Sequence, residues 1–344
     1  MKTRFIFHIL LVTIVVFIAS CVKEGPAGIA GLDGTDGAAG ADGQDGNVTC
    51  TACHTGTTLA TKQIQYAAST HKAGVNVAYA GGRSYCAECH SSEGFIEYQL
   101  NGFVAANISS PSAITCETCH MLHTDFDYAD YELRAYAPLA LNFDETVVLD
   151  LGDGSNLCIN CHQSRTAEPN MVTPGEETFA ITSTHYGPHH GPQANVFDGN
   201  GFAEIAGTVA YPAAGGSVHR TQASCITCHM GEYSDGQGDH TWKPSLASCN
   251  ACHSVSSDNF DYGGRQTNTQ LQLDELRDLL LAAGVVAGDD VDGYHPVVGT
   301  YSMVEVQAFF NWIGLEEDRS LGAHNPQYVN ALLVNTIDAL TVAK

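Results

Sequence analysis

Six times in this chain, two cysteines separated by two residues are followed directly by a histidine. The copies are Cys50, Cys53 and His54; Cys86, Cys89 and His90; Cys116, Cys119 and His120; Cys158, Cys161 and His162; Cys225, Cys228 and His229; and Cys249, Cys252 and His253. Two thiols three residues apart lie on one side of a single helical turn. They can form thioethers to both vinyl groups of one porphyrin, and the adjacent histidine then directs its imidazole at the iron. CxxCH is the signature of covalent c-type haem attachment. Zinc also binds CxxC pairs, and twelve exported cysteines could close into disulfides. Neither chemistry needs a histidine after every second cysteine, so six haem c groups are the expected cofactors. The intervals between copies are 36, 30, 42, 67 and 24 residues, which rules out a regular structural repeat.

Each iron has a second axial position, and its occupant separates an electron carrier from a catalyst. Nine histidines remain beyond the six proximal ones and His8: His71, His123, His185, His189, His190, His219, His240, His295 and His324. Methionine is scarce, with Met121, Met171, Met230 and Met303 after the leader, and two of these directly follow a proximal histidine. Bis-histidine, low-spin haems of low potential follow from that supply. His123 lies three residues after His120, too close to cross its own haem but within reach of a neighbour's. His71 precedes Cys86 by fifteen residues, His219 precedes Cys225 by six and His240 precedes Cys249 by nine.

The elements that must hold these residues are mainly α-helical, with extensive irregular loops and the regular structure concentrated at the C-terminus. Thr269–Gly284 places Leu273, Leu276 and Leu280 on one helical face and ends at glycine. Ser302 and Glu305 form a capping box for a second helix. Asn325 and Pro326 suit the start of a third, with Leu332, Leu333, Ile337 and Leu340 on its apolar face. His324 sits at that well-fixed start, which favours it as a ligand over His295. About fifty residues per haem leave little apolar core, so the porphyrins are expected to supply much of it.

Residues 1–20 read as an export signal: Lys2 and Arg4 precede the apolar run "FIFHILLVTIVVFIA", and small residues follow. "IASC" resembles the lipobox of bacterial lipoproteins, which would lipidate Cys21, the one cysteine of thirteen outside a CxxCH motif. Val22 in place of an aspartate leans towards the outer membrane. Glycine then recurs at every third position from Gly25 to Gly46, the collagen period, with Pro26 as its single proline. Residues 21–47 therefore read as an extended tether of about 70 Å, with a short trimeric stalk as the alternative. Residues 48–344 form the hexahaem domain. The net charge of −24 with 15% charged residues argues against nucleic acid or an anionic membrane surface as a partner. The acidic loops "DLGDGSN" and "AGDDVDG" are candidate calcium sites, though solvated loops fit them better.

The stretches "QYAASTHKAG", "CAECHSSEGFIEY", "CETCHMLH", "HHGPQA", "CITCHMG", "GDHTWKP" and "GAHNPQYVNALL" resemble a family of exported multihaem c-type cytochromes of metal-respiring bacteria. The resemblance covers nearly all of residues 50–344. It implies a multihaem cytochrome c fold organised around a stacked haem array that passes electrons between envelope partners and an outside acceptor. It also implies that His71, His123, His190, His240 and His324 are distal ligands, and His219 completes the set. His189 is the rival of His190, and His185 reads as a solvated or outer residue. The lipobox and the tether are additions to that pattern.

Electron transfer at the cell envelope is the expected function. The partners would be redox proteins of the envelope, other multihaem cytochromes and extracellular acceptors, with a lipid anchor in the outer membrane and scope for self-association. The alternative is a reductase of nitrite, hydroxylamine or a sulfur oxyanion through one open-site haem. No CxxCK motif supports it, and 14 Lys and Arg residues offer little to hold an anion.

Overall fold

The computed structural model describes residue 54 and residues 56–121, 133–253 and 258–342. Cys21, the tether, Cys50, Cys53 and His123 lie outside the described residues. Among the described residues from Thr58 to Asp261, short helices joined by loops and a few short strands make up the chain. The longest of these helices are Thr58–Ala67 and Ser92–Asn101. Among the described residues before Met121, the buried apolar side chains are Ala80, Ala87 and Phe95. Packing there relies on small residues: a Cβ on Gly94 would come within 2.3 Å of the Ala87 carbonyl oxygen. That glycine lets the helix Ser92–Asn101 cross closely over Ser84–His90, which carries a CxxCH motif.

The C-terminal part is different. Helices Arg265–Ala283, Met303–Asp318 and Pro326–Val342 share one apolar core, in which Leu273, Leu276, Leu280, Phe309, Leu332 and Leu333 are fully buried. The first helix begins four residues before the expected start at Thr269, where the Asp261 carboxylate accepts from the amides of Gln266 and Thr267. It stops at Gly284, whose φ of 72° suits glycine. Ser302 and Glu305 close the expected capping box, and Asn325 accepts from the amide of Tyr328. This core is larger than a haem-filled domain was expected to need, because three amphipathic helices bury their leucines against one another without help.

Strands are present where loops were expected. β1 (Leu139–Leu141) pairs with β2 (Asp144–Leu149), β3 (Thr178–Ile181) with β6 (Gly299–Ser302), and β4 (Val286–Asp289) with β5 (Gly293–Pro296), all antiparallel. The β3–β6 pair joins the middle of the chain to the C-terminal core. Buried Asn311 and Asn335 hold the loop at Ala203–Val209 against the second and third helices through bonds of 2.8–2.9 Å. Both attachments tie the segment between Thr178 and Val209, which carries His185, His189 and His190, onto the C-terminal helices. Among the described residues, no helix is long and apolar enough to cross a membrane.

Candidate haem sites

Each described CxxCH motif is a single turn of helix. The amide of His120 donates to the carbonyl of Cys116 (2.9 Å), His162 to Cys158 (3.0 Å) and His253 to Cys249 (3.0 Å), while Cys86–His90 and Cys225–His229 lie within helices. That turn brings both thiols and the imidazole to one side. Local sequence starts the turns. Thr115 and Thr118 form a capping box before Cys116, Ser224 and Thr227 form another before Cys225, and Ser245 caps the turn of Cys249.

The ten described cysteines are free thiols, not disulfides. Burial raises the Cys119 and Cys228 thiols to about 11. Among the described residues, no group of three or more His, Cys, Asp or Glu side chains is arranged to hold a bare metal ion. The acidic loops spend their carboxylates on their own chain: Asp150 accepts from Gly152 and Asn156, and Asp289 from Val291 and Asp292.

Five of the six proximal histidines each face one histidine from a distant part of the chain. The ring centres are 6.2 Å apart for His162 and His71, 6.0 Å for His90 and His189, 6.3 Å for His120 and His240, 6.2 Å for His229 and His324, and 6.1 Å for His253 and His219. With a metal–imidazole bond of about 2.0 Å and about 1.1 Å from ring centre to nitrogen, two imidazoles on opposite sides of one ion stand about 6.2 Å apart. Edge-to-face rings of the core, such as Phe202 and Phe310 at 6.2 Å, stand as far apart, so what sets the histidine pairs apart is that each joins a CxxCH histidine to an imidazole from another segment at a distance that leaves room for an ion. The recurring separation therefore fits a metal between each pair, and the thiols beside each proximal histidine fit the edge of a porphyrin.

Hydrogen bonds at Nδ1 free Nε2 for that role. His162 Nδ1 donates to Gln193 Oε1 (3.0 Å), His219 Nδ1 to the Ala323 carbonyl (2.6 Å) and His229 Nδ1 to the Trp242 carbonyl (2.9 Å). His240 Nδ1 donates to Asp239 (2.6 Å), and His324 Nδ1 to Asp318 (2.5 Å). Such bonds fix the tautomer and the ring plane, and carboxylate partners raise ligand basicity. Burial keeps imidazoles neutral, the state that ligation requires. It lowers His71 and His189 to about 4 and also lowers His90, His162, His229 and His240. For His324 burial acts in the same direction, but the charge and hydrogen bond of Asp318 outweigh it and raise the value.

Of the expected distal histidines, His71, His219, His240 and His324 each stand opposite a proximal one. Sequence proximity does not choose the partner: His71 faces His162 rather than the nearer CxxCH of Cys86, and His240 faces His120. His190 is not brought to His90. Its Nδ1 bonds Glu317 at 2.8 Å, its side chain is 65% exposed, and His189 takes the place opposite His90. His189 adopts a φ of 76°, between Gly187 and Gly191, which also have positive φ. The strained backbone turns its ring inward and its neighbour's outward. The outer residues Asp239, Asp318, Glu317 and Gln193 were not singled out from sequence. The pairing of Asp239 with His240 in "GDHT" is the one signal that was visible there. His185 is exposed, and His295 lies on β5 opposite Ala287.

No family model and no curated protein sequence matches this chain. Among solved structures, the fold is similar to that of the outer cell wall cytochrome OcwA, with a TM-score of 0.54 and 17% identity. The match covers 81% of this chain and 50% of that one, so this chain spans about half the length of that cytochrome.

Proposed function

We propose that this chain is an exported electron-transfer protein carrying six covalently attached c-type haems, five of them held between the histidine pairs described above. The observation that carries the reading is the pairing itself. Among the described residues, five CxxCH histidines each meet a distant histidine at 6.0–6.3 Å. The likeness in fold to a cytochrome supports it. His71, His189, His219, His240 and His324 are the distal ligands in this reading, and His123 is the remaining candidate for the site at His54. Each haem, when bound, would cycle between ferric and ferrous iron and so store one electron.

The chain's own contribution would be to hold each haem between two imidazoles, one from a CxxCH motif and one from a distant segment. That excludes small-molecule ligands, keeps reorganisation small and holds the potential low. The reductase reading has no open position among these five pairs. Cys21 would carry the lipid anchor at the outer membrane, and residues 21–47 would hold the haem domain away from it. Envelope redox proteins, other multihaem cytochromes and extracellular acceptors would be the partners. The test is the purified, exported protein. Its mass should exceed the mature chain by six haems, with low-spin EPR signals throughout. A protein without thioether-linked haem, or with uniformly high-spin iron, would overturn the proposal.

A further inference from the structure

Three of the histidine pairs meet at one residue. The Trp242 indole stands edge-on to the His71 ring at 4.8 Å and 69°, and to the His240 ring at 5.4 Å and 63°. Its backbone carbonyl accepts the Nδ1 proton of His229 at 2.9 Å. Those histidines belong to three different pairs: His71 with His162, His240 with His120, and His229 with His324. His71 Nδ1 is buried without a hydrogen-bond partner, so the indole packed against it takes over the orienting work that a hydrogen bond does for His240.

The backbone is committed to this placement. Trp242 has a φ of 53°, a left-handed conformation that is uncommon for a bulky residue. The turn that enforces it is closed by Gly238 N donating to the Lys243 carbonyl (2.7 Å), Trp242 N to the Asp239 carbonyl (3.1 Å) and Thr241 Oγ1 to the Gly238 carbonyl (2.7 Å). Tyr66 backs the indole from the helix Thr58–Ala67 at 6.3 Å, with its hydroxyl anchored on the Ile114 carbonyl. Strain held in place from several sides at the meeting point of functional groups marks a position whose geometry matters.

We propose that Trp242 is a junction residue: its indole sets the ring planes of His71 and His240, its carbonyl sets that of His229, and it links three haem sites for electron exchange. This rests on the haem reading above. It is a positioning role, since Trp242 itself carries no electron at rest and touches the imidazoles rather than the iron. The indole lies in contact with two of the imidazoles, so it bridges those two sites directly.

The test uses the full, haem-loaded protein and compares W242L with W242F. Low-spin g-values report the ring planes of the axial imidazoles, and replacing His71, His240 or His324 by Met assigns the signals. W242L is expected to shift the g-values and potentials of the three sites around Trp242, and W242F to shift the same three by less. The pairs His90–His189 and His219–His253 should stay as in the wild type. Unchanged signals in both variants, or equal shifts in all five sites, overturn the proposal. If W242L does not accumulate with its haems, W242F alone decides: a shift confined to the three sites supports the junction, and no shift or a general one overturns it. Wild-type protein lacking low-spin haem would instead sink the underlying reading, a result separable from unchanged variant spectra.

Discussion

His189 faces His90 at 6.0 Å with the two rings nearly perpendicular, while the adjacent His190 turns outward to Glu317. Two neighbouring imidazoles thus have opposite surroundings, and they separate in experiment. Replacing His189 by alanine should convert one haem to a high-spin signal in EPR and magnetic circular dichroism. Replacing His190 by alanine should leave the low-spin spectrum intact, since it removes an ion pair with Glu317 and a ring contact with His189 but no group facing His90. The reverse pattern would return the ligand to His190.

Asp318 is 1% exposed on its side chain and accepts the Nδ1 proton of His324. Asparagine there keeps the shape and removes the charge. The imidazole becomes a weaker donor to ferric iron, with distal ligation weakened by about 10-fold or more on the scale seen for such outer partners. The reduction potential of that single site should rise in a spectroelectrochemical titration, and the site at His90 should not move.

The carboxylate of Asp239 is pushed up by burial, but its bonds to Lys62 and His240 outweigh this and hold its pKa below the ordinary value of 3.8. The folded state therefore binds the proton less readily than the unfolded chain does. Its stabilising contribution is complete above about pH 4 and is lost as pH falls through the lowered folded value. Acid unfolding followed by circular dichroism should show that limb, and Asp239→Asn should flatten it while lowering stability at pH 7.

Phe309 is fully buried in the C-terminal core. Phe309→Ala should cost about 4 kcal/mol from lost burial and the remaining cavity. Urea unfolding of the loaded protein measures it. An equal substitution at Val291, which is exposed, should be silent.

The same core predicts how the chain behaves when haem attachment is blocked. Residues before Met121 bury few apolar side chains of their own, whereas the three C-terminal helices bury theirs against each other. Limited proteolysis of unloaded protein should remove the first part quickly and leave a helical fragment containing residues 265–342. Uniform resistance, or uniform loss, would contradict this division.

Much of the chemistry was legible from the chain itself. CxxCH is a local motif, because both thiols and the imidazole lie within one helical turn, and no long-range contact is needed to recognise them. The capping residues Ser302, Glu305, Asn325 and Pro326 and the leucines of the first C-terminal helix were readable for the same reason. The supply of spare histidines also pointed to imidazole in both axial positions.

Which histidine meets which was not legible, because the two members of a pair come from segments whose approach depends on the whole fold. His71 is nearest in sequence to Cys86 yet faces His162, 91 residues further on. His189 outcompetes His190 through a left-handed backbone between two glycines, a choice settled by the packing of that loop on the C-terminal helices. The short strands escaped notice because β3 and β6 pair across more than a hundred residues. The placement of Trp242 between three sites belongs to the same class. The residue types raised the expectation of haem chemistry, and the long-range packing of loops on a helical base decided which histidines face one another.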